Sequence, residues 1–149
     1  MIRVQSADFD VGLELKKLTE GNPKVGAVTS FVGLVRDIAE KDTISAMVLE
    51  HYPGMTEKQL ADIEHEANQR WDLTSSLIIH RYGRLEPGDN IVLVACASAH
   101  RESAFDACHF LIDWLKTKAP FWKLEETSEG GRWVEAATKD DIATARWEK

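Results

Sequence analysis

Cysteine is scarce in this chain: Cys96 and Cys108 are its only two among 149 residues, and no Cys-x-x-Cys spacing joins them. That excludes a zinc knuckle or a thioredoxin-like redox pair, and both thiols read as small core residues. Long apolar runs are also missing. The longest, Ile91 to Ala97, is far too short to cross a bilayer. The start, Met1-Ile-Arg-Val-Gln-Ser, has no apolar signal region. The expectation is a soluble, cytoplasmic protein with no membrane partner. Excess basic charge is absent too, with 18 Lys and Arg against 25 Asp and Glu for a net charge of -7. A phosphate-tracking surface needs clustered cations, so nucleic acid is not an expected partner, and an anionic ligand would have to meet a local basic pocket. His51, His65, His80 and His109 have neither metal-site spacing nor an obvious nucleophile to serve, and they read as structural or exposed. There are no repeats, linkers or low-complexity stretches.

What is present is 44% hydrophobic and 29% charged content in a length that suits one domain around one core. Residues 1–5 read as a strand. Val11, Leu13, Leu15 and Leu18 mark a short amphipathic helix ending at Gly21-Asn22-Pro23. Residues 25–35 are rich in β-branched side chains, and their glycines predict a bulge or a close backbone approach. A polar loop is expected over 37–43, then a strand over 44–52, a Pro53-Gly54 turn, and a covering helix to about Trp71 opened by a Thr56/Gln59 capping box. Strands over 77–80 and 90–99 should be sheet neighbours across the turn 85–89. Apolar residues at helical spacing predict a helix over 101–118, stopped by Pro120. A hairpin over 121–126 and 132–136 and a terminal helix over 140–147 close the chain. Helices inserted among hairpin-connected strands indicate α+β, a mostly antiparallel sheet with covering helices.

Three places could carry chemistry. At Ser98-Ala-His-Arg-Glu-Ser103 a strand meets a helix, where free N–H groups, an imidazole and a guanidinium favour an anion such as phosphate. The plain alternative is that His100 caps the helix and Arg101 pairs with a surface carboxylate. Lys116 and Lys123 flank a proline turn beside Phe121 and Trp122, walls against which an ammonium loses its charge readily. On spacing alone both lysines suit solvated positions, and Lys116 and Lys118 in the last turn of a helix are ordinary complements to its dipole. Arg36, leaving a glycine-containing strand, is the third.

Taken together, Gly26 to Arg36, Leu49-Glu-His-Tyr-Pro-Gly-Met55, Ser98-Ala-His-Arg101, Lys116-Thr-Lys-Ala-Pro-Phe-Trp-Lys123 and Arg132-Trp-Val-Glu-Ala136 resemble the MoaE family, the large subunit of molybdopterin synthase. The resemblance runs through nearly the whole chain. It implies the family's single-domain α/β hammerhead fold. It also implies an enzyme that converts cyclic pyranopterin monophosphate to molybdopterin by forming a dithiolene, without a metal or other cofactor. Sulfur would come from the C-terminal Gly-Gly thiocarboxylate of a small ubiquitin-like carrier of MoaD type, in a heterotetramer built on a large-subunit homodimer. Carried over residue by residue, Lys116 and Lys123 are catalytic. The substrate is held by Leu34, Val35, Arg36, His100, Arg101, Leu124 and Glu125 together with the two lysines. One departure is the loop Asp37-Ile-Ala-Glu-Lys41, where the family often carries an Asn-His-Asn-Leu-Gly type sequence. The alternatives are a non-catalytic module that docks a ubiquitin-like tail and an unrelated phosphate-ester enzyme.

One geometric expectation follows. A straight helix would hold Arg101 and Lys116 about 22 Å apart, at roughly 1.5 Å per residue. One small ligand does not touch both. Unless that helix breaks, His100 and Arg101 reach the lysine site from a second copy of the chain across a two-fold interface.

Overall fold

The computed structural model describes residues 1–39, 42–134 and 138–148. Along the chain run β1 (Ile2–Gln5), α1 (Val11–Thr19), β2 (Ala27–Leu34), β3 (Ile38–Ala39), β4 (Asp42–His51), α2 (Met55–Arg70) and β5 (Ser75–Arg81). They are followed by β6 (Gly83–Leu85), β7 (Asn90–Ser98), α3 (Arg101–Thr117), β8 (Phe121–Thr127), β9 (Gly130–Val134) and α4 (Thr138–Ala145). The architecture is α+β, with two sheets in which only the β1–β5 pair is parallel among the described strands.

The most apolar strand, β7, lies inside the first sheet, ordered β1-β5-β7-β2, and is buried from Val92 to Ser98. Side chains alternate across a strand, so each face needs its own cover. Ile78, Val92, Val94 and Cys96 pack with Ile63 and Ala67 of α2 and with Ala107, Cys108, Phe110 and Leu111 of α3. Leu77, Ile79, Leu93 and Ala95 pack under Phe9 and the apolar side of α1. Each large side chain so buried contributes about 1.5–3 kcal/mol. Both cysteines lie in the first of these layers, where burial pushes the Cys108 thiol up to about 11 and the Cys96 thiol higher still.

The glycines of the segment 25–35 do what their positions suggested. A Cβ on Gly26 would lie 2.2 Å from the carbonyl oxygen of Ala99, so only glycine lets the two backbones meet there. The β2–β7 register shifts between Gly33 and Leu34, a bulge.

In the second sheet β4 is the hub. It pairs antiparallel with β8 along most of its length, with β3 at one end and with β6, while β9 extends β8. Two expectations need correction here. The segment 37–43 is not all loop, because Ile38 and Ala39 pair back onto Asp42 and Thr43. The expected 77–80/90–99 neighbours do pair antiparallel, but their connection contains β6, which crosses to β4 instead.

The start of α2 also differs from its reading. Gly54, at φ 85°, is the N-cap, and its N–H donates to the Glu57 carboxylate at 2.6 Å. Thr56 acts elsewhere. Its hydroxyl accepts from the Tyr52 N–H (2.9 Å) and donates to the Pro120 carbonyl (3.3 Å). That pins α2 to the turn between α3 and β8.

At the far end, β9 stops at Val134 and the terminal helix begins at Thr138; residues 135 and 136, expected in the strand, lie outside the described residues. The indole N–H of Trp147 donates to Asp113 Oδ2 at 2.7 Å, and the Thr144 hydroxyl bonds Thr117 at 2.8 Å. These contacts fasten α4 to α3 close to Lys116. Among the described residues no helix is long and apolar enough to cross a membrane.

Candidate active site

The site forms where α3 ends and β8 begins. Lys116 projects from the last turn of α3, exposed, with no hydrogen bond or ion pair among the described residues. Thr117 to Pro120 turn the chain, and Lys123 follows on β8, half-buried. Burial penalises the Lys123 ammonium and the positive charge of Lys116 adds to that, whereas Asp140 and Glu125 oppose it; the net effect lowers Lys123 to about 8. On the order of a tenth of Lys123 is then neutral at pH 7, against almost none of an ordinary lysine. An amine so placed both donates and accepts a proton near neutrality.

Strand alternation puts Lys123 and Glu125 on one face of β8 and Leu124 on the other, where it lies opposite Val48 and Trp133. Leu124 is therefore directed away from the lysine side. Glu125 is buried, faces Arg132 across the β8–β9 ladder, and leaves Oε2 without a hydrogen-bond partner among the described residues. A buried carboxylate oxygen in that state is a ready acceptor for a donor from outside the chain.

A histidine that reads from sequence alone as structural or exposed belongs beside these lysines. His80, at the end of the apolar run Leu77-Ile-Ile79, is buried and stacks on Phe121, ring centroids 3.6 Å apart and planes 15° apart. Burial pulls its pKa to about 3, and the charges of Lys123, Lys116 and His51 act the same way, against a hydrogen bond to the Arg81 carbonyl. His51 stacks on Tyr82 at 4.4 Å and leans toward Phe121 at 6.4 Å. The available signal was a polar residue closing an otherwise apolar strand.

Around the β2 exit, Leu34 and Arg36 are exposed, whereas Val35 is not. Its side chain packs with Leu49 and Leu85, its N–H donates to Asp89 and its carbonyl accepts from Gly88. With all its groups engaged, Val35 contributes by holding Leu34 and Arg36 outward. Of the three substrate residues expected here, Val35 is thus the one whose side chain lies in the core.

At the other end of α3, His100 is the N-cap residue but makes no side-chain cap; its own N–H reaches Ser98 Oγ at 3.3 Å. Arg101 is exposed and forms no ion pair among the described residues. The capping and surface-pair alternatives for these two residues are thus not what the structure contains. Helix α3 runs unbroken over 17 residues. Arg101 and Lys116 therefore stand about 22 Å apart along it, at about 1.5 Å per residue.

The family described as MoaE protein matches residues 4–118. The chain belongs to the MoaE family. A curated relative from Pseudomonas aeruginosa, named molybdopterin synthase catalytic subunit, is 58% identical over 148 residues, covering 99% of each chain. Its match extends past the family's region to take in Lys123 and β9. Among solved structures, the molybdopterin biosynthesis MoaE protein from Burkholderia ambifaria is 52% identical, with a TM-score of 0.84 over 99% of this chain and 97% of that one. A chain from a protein–protein complex of subunits 1 and 2 of molybdopterin-converting factor from Helicobacter pylori has the same fold at 20% identity, with a TM-score of 0.75 over 90% of each. The fold expected from the resemblance is the one observed, and this MoaE chain has Lys116 and Lys123 at the junction of α3 and β8.

Proposed function

We propose that this chain is the catalytic subunit of a molybdopterin synthase, a cytoplasmic sulfur-transferring enzyme of molybdenum cofactor biosynthesis. It converts cyclic pyranopterin monophosphate to molybdopterin by installing the dithiolene. A small ubiquitin-like carrier of MoaD type delivers sulfur as a C-terminal thiocarboxylate. The observation that carries this reading is the lysine pair: one free ammonium, Lys116, beside a second, Lys123, whose proton is held loosely.

The reaction's charges suit that arrangement. Thiocarboxylate, cyclic phosphate and the oxyanion that develops during sulfur transfer are all negative, and fixed cations stabilise both their binding and the transition state. Lys116, at the mouth of the site, stabilises the oxyanion beside the incoming thiocarboxylate. Lys123, Arg36 and Glu125 hold the pterin substrate, and Lys123 exchanges a proton with it. No metal or other cofactor is required of this chain in that scheme.

The length of α3 supports a shared site. His100 and Arg101 of one chain bind the substrate phosphate in the pocket of a two-fold partner, because on their own chain they lie about 22 Å from Lys116 by helical rise. With one carrier per large subunit the assembly is a heterotetramer, in keeping with the two-subunit complex reported for the Helicobacter pylori protein.

The test is single-turnover product formation from the cyclic precursor and thiocarboxylated carrier. Lys116→Ala should lower the rate by about a hundredfold or more, as loss of an oxyanion-stabilising donor does. A rate equal to wild type would remove Lys116 from the mechanism. It would also favour the non-catalytic, tail-docking module.

A further inference from the structure

His80 is in none of the roles above, yet its placement is unusual for a central strand. Its Nδ1 lies 2.8 Å from the Arg81 carbonyl oxygen, which can only accept, so Nδ1 carries the hydrogen. A ring with one such hydrogen and no charge keeps Nε2 bare. The ring is buried in the first sheet, while its stacking partner, Phe121, is the first residue of β8 in the second. Phe121 also pairs with His51 of β4, and the carbonyl of Pro120 just before it accepts the Thr56 hydroxyl of α2. Three elements thus converge on the two residues that precede Trp122 and Lys123.

We propose that His80 is a positioning residue for the lysine pair: an uncharged, buried imidazole that seats Phe121, and so fixes the start of β8 where Lys123 stands beside Lys116. The face-to-face stack holds Phe121 at van der Waals distance. Any loosening there shifts Lys123 two residues on and admits water to its ammonium. Neutrality of the ring matters to the same geometry, since a third cation beside Lys116 and Lys123 would push them apart. The charged groups that act on Lys123 are Lys116 of α3, Glu125 on its own strand and Asp140 of α4; from β5, His80 places its uncharged ring on Phe121.

The role in catalysis rests on the function proposed above, but the positioning does not, so the experiment has two readouts. Full-length protein labelled with 13C-lysine is titrated by following the Cε shift of Lys123, assigned with Lys123→Arg. The same samples are assayed with cyclic precursor and thiocarboxylated carrier. Wild type should titrate near 8. In His80→Leu, which stays apolar but loses the stack, the Lys123 midpoint should rise by about one pH unit or more as water reaches it. Its turnover should fall by about ten- to a hundredfold, the scale of small misplacements. His80→Phe, which restores a flat neutral ring, should return both readouts close to wild type.

A folded His80→Leu protein whose Lys123 midpoint and turnover match wild type would overturn the proposal. So would a His80→Phe protein as impaired as His80→Leu, since the ring would then not be what matters. A shifted midpoint with unchanged turnover would uphold the positioning and count against the catalytic part given to Lys123.

Discussion

At the scale of a single residue, the depressed pKa of Lys123 is also a statement about stability. Folding lowers it from 10.5 to about 8, so between those values the unfolded chain binds a proton that the folded chain has released. Stability therefore rises with pH across that window, and below about 8 the buried ammonium is a fixed cost. Lys123→Met should fold more stably than wild type at pH 7 by on the order of 1–3 kcal/mol, a range that allows for Glu125 and Asp140 losing a cation. The advantage should shrink as pH approaches 10.5. Urea midpoints at pH 7, 9 and 10.5 check it; a gap that does not vary with pH would show that Lys123 titrates normally. The variant should at the same time be inactive, separating a group kept for chemistry from one kept for folding. In the local sequence only the neighbouring Phe121 and Trp122 hinted at this. A lysine two residues past Phe121 reads as solvated until β4, β9 and α4 are known to surround it, and those neighbours are distant in sequence.

At the scale of the element, the junction between β7 and α3 has a tolerance set by one missing methyl. Gly26→Ala would push a Cβ into the Ala99 carbonyl, one residue before His100, and two backbones cannot both stay in place. The cost should be about 1–3 kcal/mol, as for overpacking elsewhere. The variant should also lose phosphate affinity at His100 and Arg101 more than it loses the Lys123 titration, because the strain lies at the opposite end of α3. Denaturation and binding of the cyclic precursor, measured on one preparation, check the pair.

Most elements could be read from the chain because their signals are local. The 3.6-residue spacing of Ala104, Cys108, Leu111 and Leu115 gave α3 to within a residue, and Pro120 its end. What could not be read was pairing between distant segments. Strand β6 is three residues opening on a glycine, and it is a strand only because β4 lies alongside it. The capping box was misplaced for a related reason. Thr56 had the residue type of a cap, but Gly54 could take the positive φ that the turn demands, which freed Thr56 to bond Pro120 sixty-four residues away. The stack of His80 on Phe121 joins two sheets, and no window of sequence contains it.

At the scale of the whole molecule, the proposed sharing of sites makes a statistical prediction. Lys116→Ala and Arg101→Ala chains should each be nearly inactive alone. After subunits are exchanged between them, half the dimers should be mixed, each with one pocket that has both intact halves, so about a quarter of wild-type activity should return. No recovery in samples where mixing is verified by mass would place all the essential cations on one chain. The resemblance supplied the residues of this site, and the unbroken helix supplied the reason to divide them.

The continuity of α3 has a further consequence, in genetic terms. In the proposed shared site, one end of the helix serves its own chain's pocket and the other end serves the partner's. A lesion at either end is recessive in a mixed dimer, sparing one pocket. A lesion that breaks the helix in its middle, around Ala107 or Leu111, withdraws both ends at once. A single such chain, if it still assembles, would silence its healthy partner as well.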